Sequence, residues 1–237
     1  MNPHSKPVAE RLDDIRLRIR AAEHNAGRDI GTVRLIAVSK TQPVEALIAA
    51  YQAGQREFGE NYVQEALSKQ RQLAHFDIIW HFIGPIQTNK TRLLAESFDW
   101  VHGVDRLKIA ERLSEQRPAN RLPLNICLQV NVSGESSKSG VHPDSVRELA
   151  LEIAHLPCLR LRGLMAIPAP CEDVTQQRTA FRMVRDTLHT LSDLPGLDTL
   201  SMGMSDDLDA AITEGASMVR IGTAIFGKRP HRGEPSA

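Results

Sequence analysis

The feature that most narrows the fold is a recurrence. Eight strand-like segments, near residues 33–38, 56–59, 78–83, 99–103, 124–132, 159–166, 198–202 and 217–221, each lead into a helical pattern or a short closing turn. Alternating β and α segments of this length need parallel strands with right-handed crossovers. Eight such units close a (β/α)8 barrel, and 237 residues suit one barrel in one domain. The competing arrangement is an open doubly wound sheet, which gathers its functional polar residues at one switch point. Here no G-x-G-x-x-G opens the first helix, and candidate polar residues follow many different strands. The sequence therefore predicts an α/β chain folded as a single TIM barrel over residues 1–230, with a disordered tail at 231–237.

An extra helix over 8–26 precedes the first strand, with Leu12, Ile15 and Ile19 at helical spacing, and is expected to pack on the outside. In the fifth strand Ile126, Leu128, Val130 and Val132 alternate with Asn125, Cys127, Gln129 and Asn131, so one side faces helices and the other a partly polar barrel interior. Lys plus Arg and Asp plus Glu both total 29, which gives no charge excess for nucleic acid or an anionic membrane. Three cysteines without C-x-x-C spacing argue against a disulfide framework or zinc site and fit a reducing, cytoplasmic setting. Neither a signal-peptide core nor a run of about 18 apolar residues is present, so export and membrane insertion are not expected.

Active sites of such barrels lie at the C-terminal strand ends. Lys40 follows Ile36 and Val38 in strand alternation and is aimed at that rim; a partly desolvated amine there can attack an aldehyde, whereas in water it is an ordinary solvated lysine. Gly222 and Thr223 end the eighth strand, where glycine admits a phosphate to the backbone and threonine adds a hydroxyl, or where they simply make a turn. Arg220 shares the phase of Gly222 and points inward, needing either a structural carboxylate or an acceptor such as a ring nitrogen. Ser205 is placed to cap the next helix, bind phosphate, or both, and Asn61 either caps a helix from Tyr62 or meets a ring hydroxyl. His81 reads as a core histidine and Asn89-Lys90 as a solvated helix start. Lys138, in the 133–140 loop on the same rim, is a minor candidate for transient ligand contact.

Taken together, Ala37-Val38-Ser39-Lys40-Thr41, Phe58-Gly59-Glu60-Asn61-Tyr62, His81-Phe82-Ile83-Gly84, Ser201-Met202-Gly203-Met204-Ser205 and Val219-Arg220-Ile221-Gly222-Thr223-Ala224-Ile225-Phe226-Gly227 resemble the pyridoxal phosphate homeostasis protein family, in order from about residue 8 to 228. The resemblance implies a barrel similar to the N-terminal domain of alanine racemases. It also implies pyridoxal 5′-phosphate (PLP) as an internal aldimine on Lys40, phosphate held by Ser205, Gly222 and Thr223, Arg220 facing the pyridine nitrogen, and Asn61 beside the ring.

An arginine cannot readily donate a proton to a pyridine nitrogen, so the ring stays a poorer electron sink than a pyridinium. Alanine racemases share such an arrangement, but they add a β-domain carrying a catalytic tyrosine. The leading expectation is storage or delivery of PLP, with apo forms of PLP enzymes as partners and the chain as a monomer. A small PLP-dependent racemase or lyase is the second reading. A cofactor-free aldolase in which Lys40 bonds a sugar phosphate is the third.

Overall fold

The computed structural model describes residues 6–133 and 139–227. Its eight strands, β1 (Arg34–Val38), β2 (Glu57–Glu60), β3 (Ile79–Phe82), β4 (Trp100–Val104), β5 (Leu124–Gln129), β6 (Leu159–Met165), β7 (Thr199–Ser201) and β8 (Met218–Ile221), close in sequence order into a barrel. All neighbours are parallel, and Ile36 of β1 pairs with Arg220 of β8 to seal the ring. The TIM barrel expected from the recurrence is the observed fold. The largest boundary difference is in β5, where the chain leaves the sheet after Gln129 and only an isolated bridge joins Val130 to Val141.

Strand alternation separates two cores. Ile126 and Leu128 join the large apolar layer between sheet and helices, while Cys127 joins Ile36, Trp100, Met165 and Met218 inside the barrel. At the base, the guanidinium groups of Arg34 and Arg162 lie 5.1 and 5.0 Å from the centroid of the Trp100 ring. Cations over the ring suit its negative quadrupole. Arg34 is paired with Glu57 at 2.8 Å and Arg162 with Asp198, so this plug is both filled and neutralised.

The helices of the first seven units are α2 (Val44–Gln52), α3 (Val63–Gln72), α4 (Thr91–Ser97), α5 (Leu107–Glu115), α6 (Val146–Ala154), α7 (Val174–His189) and α8 (Leu208–Thr213). Among the described residues the eighth unit has the four-residue α9 (Thr223–Phe226). The extra helix α1 (Val8–Asn25) packs outside the barrel against α2, α8 and α9 and so completes the helix ring. It buries Leu12, Ile15 and Ile19, each contributing roughly 1.5–3 kcal/mol. Buried Glu23 ties its end to β1 by accepting from the amides of Gly31 and Val33 at 3.0 and 2.7 Å. Near the other rim, Arg18 donates to the Ser205 carbonyl at 2.7 Å and pairs with Asp209 at 2.5 Å. Among the described residues no helix is long and apolar enough to cross a membrane.

Candidate active site at the barrel mouth

A cavity of about 540 Å³ opens at the C-terminal ends of the strands, and Lys40, Asn61, Ser205, Arg220, Gly222 and Thr223 all line it. Val38, Ile83, Ile167 and Met204 give it apolar walls. The structure thus brings these six positions together at one mouth. Lys138 and the tail at 231–237 lie outside the described residues. Asn89-Lys90 fall in a 3-10 turn ahead of α4, as expected of a solvated helix start.

Arg220 is buried and its side chain is fixed from two strand ends. One terminal nitrogen donates to the carbonyl and hydroxyl of Ser201 at 2.5 and 2.8 Å, and the other donates to the Ala166 carbonyl at 2.9 Å. Burial lowers the guanidinium to about 10, still charged at neutral pH. The structural carboxylate weighed as its partner is not what holds it; carbonyls and a hydroxyl do.

The Ser201 hydroxyl continues a chain down the barrel. It lies 2.8 Å from His102 Nδ1, His102 Nε2 lies 3.0 Å from His81 Nδ1, and His81 Nε2 lies 3.1 Å from Glu57 Oε2, a close charge contact that does not have hydrogen-bond geometry. Burial lowers both histidines; in His102 the charges of His81, Arg220 and Arg34 add to it. Burial alone would raise Glu57, but His81 and Arg34 hold its carboxyl below the usual range. An ionised carboxylate only accepts, and a neutral imidazole has one donor and one acceptor nitrogen. The nearby Glu57 carboxylate favours the proton on His81 Nε2, and with that tautomer His102 donates to His81, Ser201 donates to His102, and Arg220 donates to Ser201. The core-histidine reading of His81 therefore holds. The roles of His102 and Ser201 are additional to the sequence candidates. Strand phase alone could have flagged them, since both alternate with residues of the outer core.

Two capping expectations are corrected. Helix α3 begins at Val63 with Tyr62 as its N-cap and no side-chain cap, so Asn61 does not cap it. Instead Asn61 Oδ1 is buried without a hydrogen-bond partner at the cavity. Gly84 fixes the Asn61 backbone: a Cβ there would stand 2.5 Å from the Asn61 carbonyl oxygen. Ser205 is likewise not the cap of α8; Asp207 holds that position, and its Oδ1 accepts from the Met204 amide at 2.6 Å. The Asp207 side chain already closes that turn, so the sequence signal at Ser205 belonged to the next suitable residue.

The wall opposite is shaped by Gly222, where a Cβ would meet the Val38 carbonyl and Cβ at 3.2 and 3.3 Å. A glycine with little room for a Cβ, the hydroxyls of Ser205 and Thr223, a buried guanidinium and the unpaired acceptor oxygen of Asn61 make a set of donors and one acceptor suited to a phosphorylated heteroaromatic ring. A primary amine at the rim adds the partner for a carbonyl. The residues present fit PLP. The Cys127 thiol in the interior is pushed up to about 12 by burial and offers no competing nucleophile.

The profile of the family described as alanine racemase, N-terminal domain, matches residues 11–230, so fold and site define a barrel of that class. Alanine racemase from Clostridium difficile 630 shares the fold alone, at a TM-score of 0.69 and 15% identity, over 93% of this chain and 58% of that one. PipY of Synechococcus elongatus PCC7942, solved with PLP bound, is 38% identical with a TM-score of 0.82, covering 93% of this chain and 100% of that one. A pyridoxal phosphate homeostasis protein from Pseudomonas aeruginosa is 60% identical over 230 residues, 97% of this chain and 99% of its own. The chain belongs to the pyridoxal phosphate homeostasis protein family.

Proposed function

We propose that this protein binds PLP at the barrel mouth and serves PLP homeostasis by storing, buffering or delivering the cofactor. The carrying observation is convergence: polar groups from the ends of β1, β2, β7 and β8 line one cavity of about 540 Å³. Bound there, the group supplies an aldehyde that condenses reversibly with a primary amine, releasing water. Lys40 provides that amine. Ser205, Gly222 and Thr223 hold the phosphate, Asn61 faces the polar edge of the ring, and Arg220 faces the ring nitrogen. Because Arg220 is already polarised toward Ser201 and remains charged, it holds its protons and leaves that nitrogen neutral. This favours holding the aldehyde over carbanion chemistry. Residues 1–230 act as one PLP-binding unit, working as a cytoplasmic monomer that passes its cargo to apo forms of PLP enzymes.

Borohydride reduction of the loaded protein followed by peptide mass mapping tests the assignment. A pyridoxyl adduct on Lys40 is expected, with Lys40→Ala losing it while circular dichroism stays unchanged. An adduct on another lysine would reassign the anchor. Turnover of amino acids at enzyme-like rates, detected by chiral analysis after incubation with PLP, would replace storage by the racemase or lyase reading.

A further inference from the structure

Lys40 is the middle residue of a tripeptide held on both sides. Before it, the Ser39 amide donates to the Gly59 carbonyl at 2.9 Å and the Ser39 hydroxyl donates to Glu60 Oε1 at 2.7 Å. After it, the Thr41 amide donates to Glu65 Oε1 at 2.5 Å, and the Thr41 hydroxyl donates to the Lys40 carbonyl at 2.6 Å. Thr41 sits at φ 65°, a left-handed conformation that a β-branched residue adopts only when its surroundings impose it.

What imposes it traces to one ammonium. Lys69 of α3 has a side chain only 5% exposed, and its Nζ donates to the Ser39 carbonyl at 2.7 Å, Glu60 Oε1 at 2.7 Å and Glu65 Oε1 at 2.6 Å. Those three bonds use its whole donor capacity. They join the residue before Lys40, the carboxylate preceding Asn61, and the carboxylate that grips Thr41. Burying an ion costs heavily unless its partners are well placed, so such a device is weak evidence for stability and better suited to fixing a conformation.

We propose that Lys69 is a positioning residue for covalent capture at Lys40, fixing through Ser39 and Glu65 the backbone from which the reactive amine reaches the cavity. The inference rests on the reading of Lys40 as the aldehyde-binding amine. In the step it serves, Lys40 nitrogen bonds to the aldehyde carbon, the carbonyl oxygen leaves as water with the two amine protons, and nothing is oxidised or reduced. Lys69 does not touch the reacting atoms.

The test separates capture from binding with two ligands that share ring and phosphate: PLP, and pyridoxine 5′-phosphate, which carries an alcohol in place of the aldehyde. In full-length Lys69→Met, the rate of borohydride-trapped adduct formation on Lys40 is expected to fall about tenfold or more, a loss of about 1.4 kcal/mol. The affinity for pyridoxine 5′-phosphate, measured by calorimetry, is expected to stay within about twofold of wild type. Glu65→Ala, at a side chain 28% exposed, frees only the Thr41 side and should show a smaller loss of the same kind. If Lys69→Met does not fold, the Glu65→Ala result decides. Unchanged capture, or equal loss for both ligands, would overturn the positioning role while a wild-type adduct on Lys40 leaves the function intact. Absence of any wild-type adduct would overturn both.

Discussion

The two ends of the barrel interior carry similar chemistry and treat it oppositely. At the base Arg34, Glu57, Trp100, Arg162 and Asp198 pair with one another and leave a filled plug. At the mouth a buried amide oxygen of Asn61 has no partner, and a cavity remains beside it. Buried polar groups are nearly always satisfied, so an unsatisfied one beside open space marks where a ligand completes the structure. The unpartnered His81 Nε2 lies against the Glu57 carboxylate of the plug, whereas the unpartnered Asn61 oxygen lies beside open space, so it is the mouth that is left ready for a ligand.

Substituting into the plug should break this contrast in stability alone. Trp100→Ala removes a buried ring that both guanidinium groups and His81 pack against, and is expected to cost about 3–5 kcal/mol in denaturant melts. Ligand contacts at the mouth should be retained in whatever fraction stays folded. Equal damage to PLP affinity per folded molecule would show that the two ends are not separable.

Ser201→Ala cuts the chain that connects them. It strands His102 Nδ1 and one Arg220 donor, and should cost about 1–3 kcal/mol of stability. Unlike Trp100→Ala, it should also shift the absorbance of bound PLP, because Arg220 loses one of the three hydrogen bonds that hold it.

Acid sharpens the comparison further. His81 and His102 are both held below their ordinary 6.5 in the folded state, so the unfolded chain takes up protons first. Their contribution is complete above about pH 6.5 and declines as pH falls below it. Glu57, also lowered, adds a loss of the same sign below its ordinary 4.5. Thermal melts should therefore decline from about pH 6.5 downward and steepen below about 4.5, and His102→Gln should flatten the upper part.

The smallest effects should fall at the α8 turn. Asp207→Ala removes the side chain that accepts from Met204 and is expected to cost about 0.5–2 kcal/mol in a thermal melt. Ser205→Ala should cost less than about 0.5 kcal/mol in the same assay, yet weaken PLP retention on dialysis.

The barrel was legible because its signal is local and repeated. Each strand announces itself within a few residues, and alternation from Ile36 through Val38 to Lys40 and from Arg220 to Gly222 leads to Val38, Lys40, Arg220 and Gly222 lining one cavity. Capping was misjudged where several suitable residues stand in a row: Asn61 precedes Tyr62, and Ser205 precedes Asp206-Asp207, so composition alone does not say which takes the turn. The polar chain was not legible for a different reason. His102 and Ser201 are 99 positions apart, and only closure of the barrel makes them neighbours. The same holds for Lys69, whose value lies in reaching back 30 positions to Ser39.

The use of α1 as a cover beside α9 has a kinetic consequence. Its berth is built from α2, α8 and α9, so most of the surface it packs on comes from the far end of the sequence. Contacts of such long sequence separation slow folding, because loop-closure entropy is spent before they form. Docking of α1 is what brings Arg18 to the Ser205 carbonyl. The loop at Ser205 is thereby braced by a helix from the opposite end of the sequence.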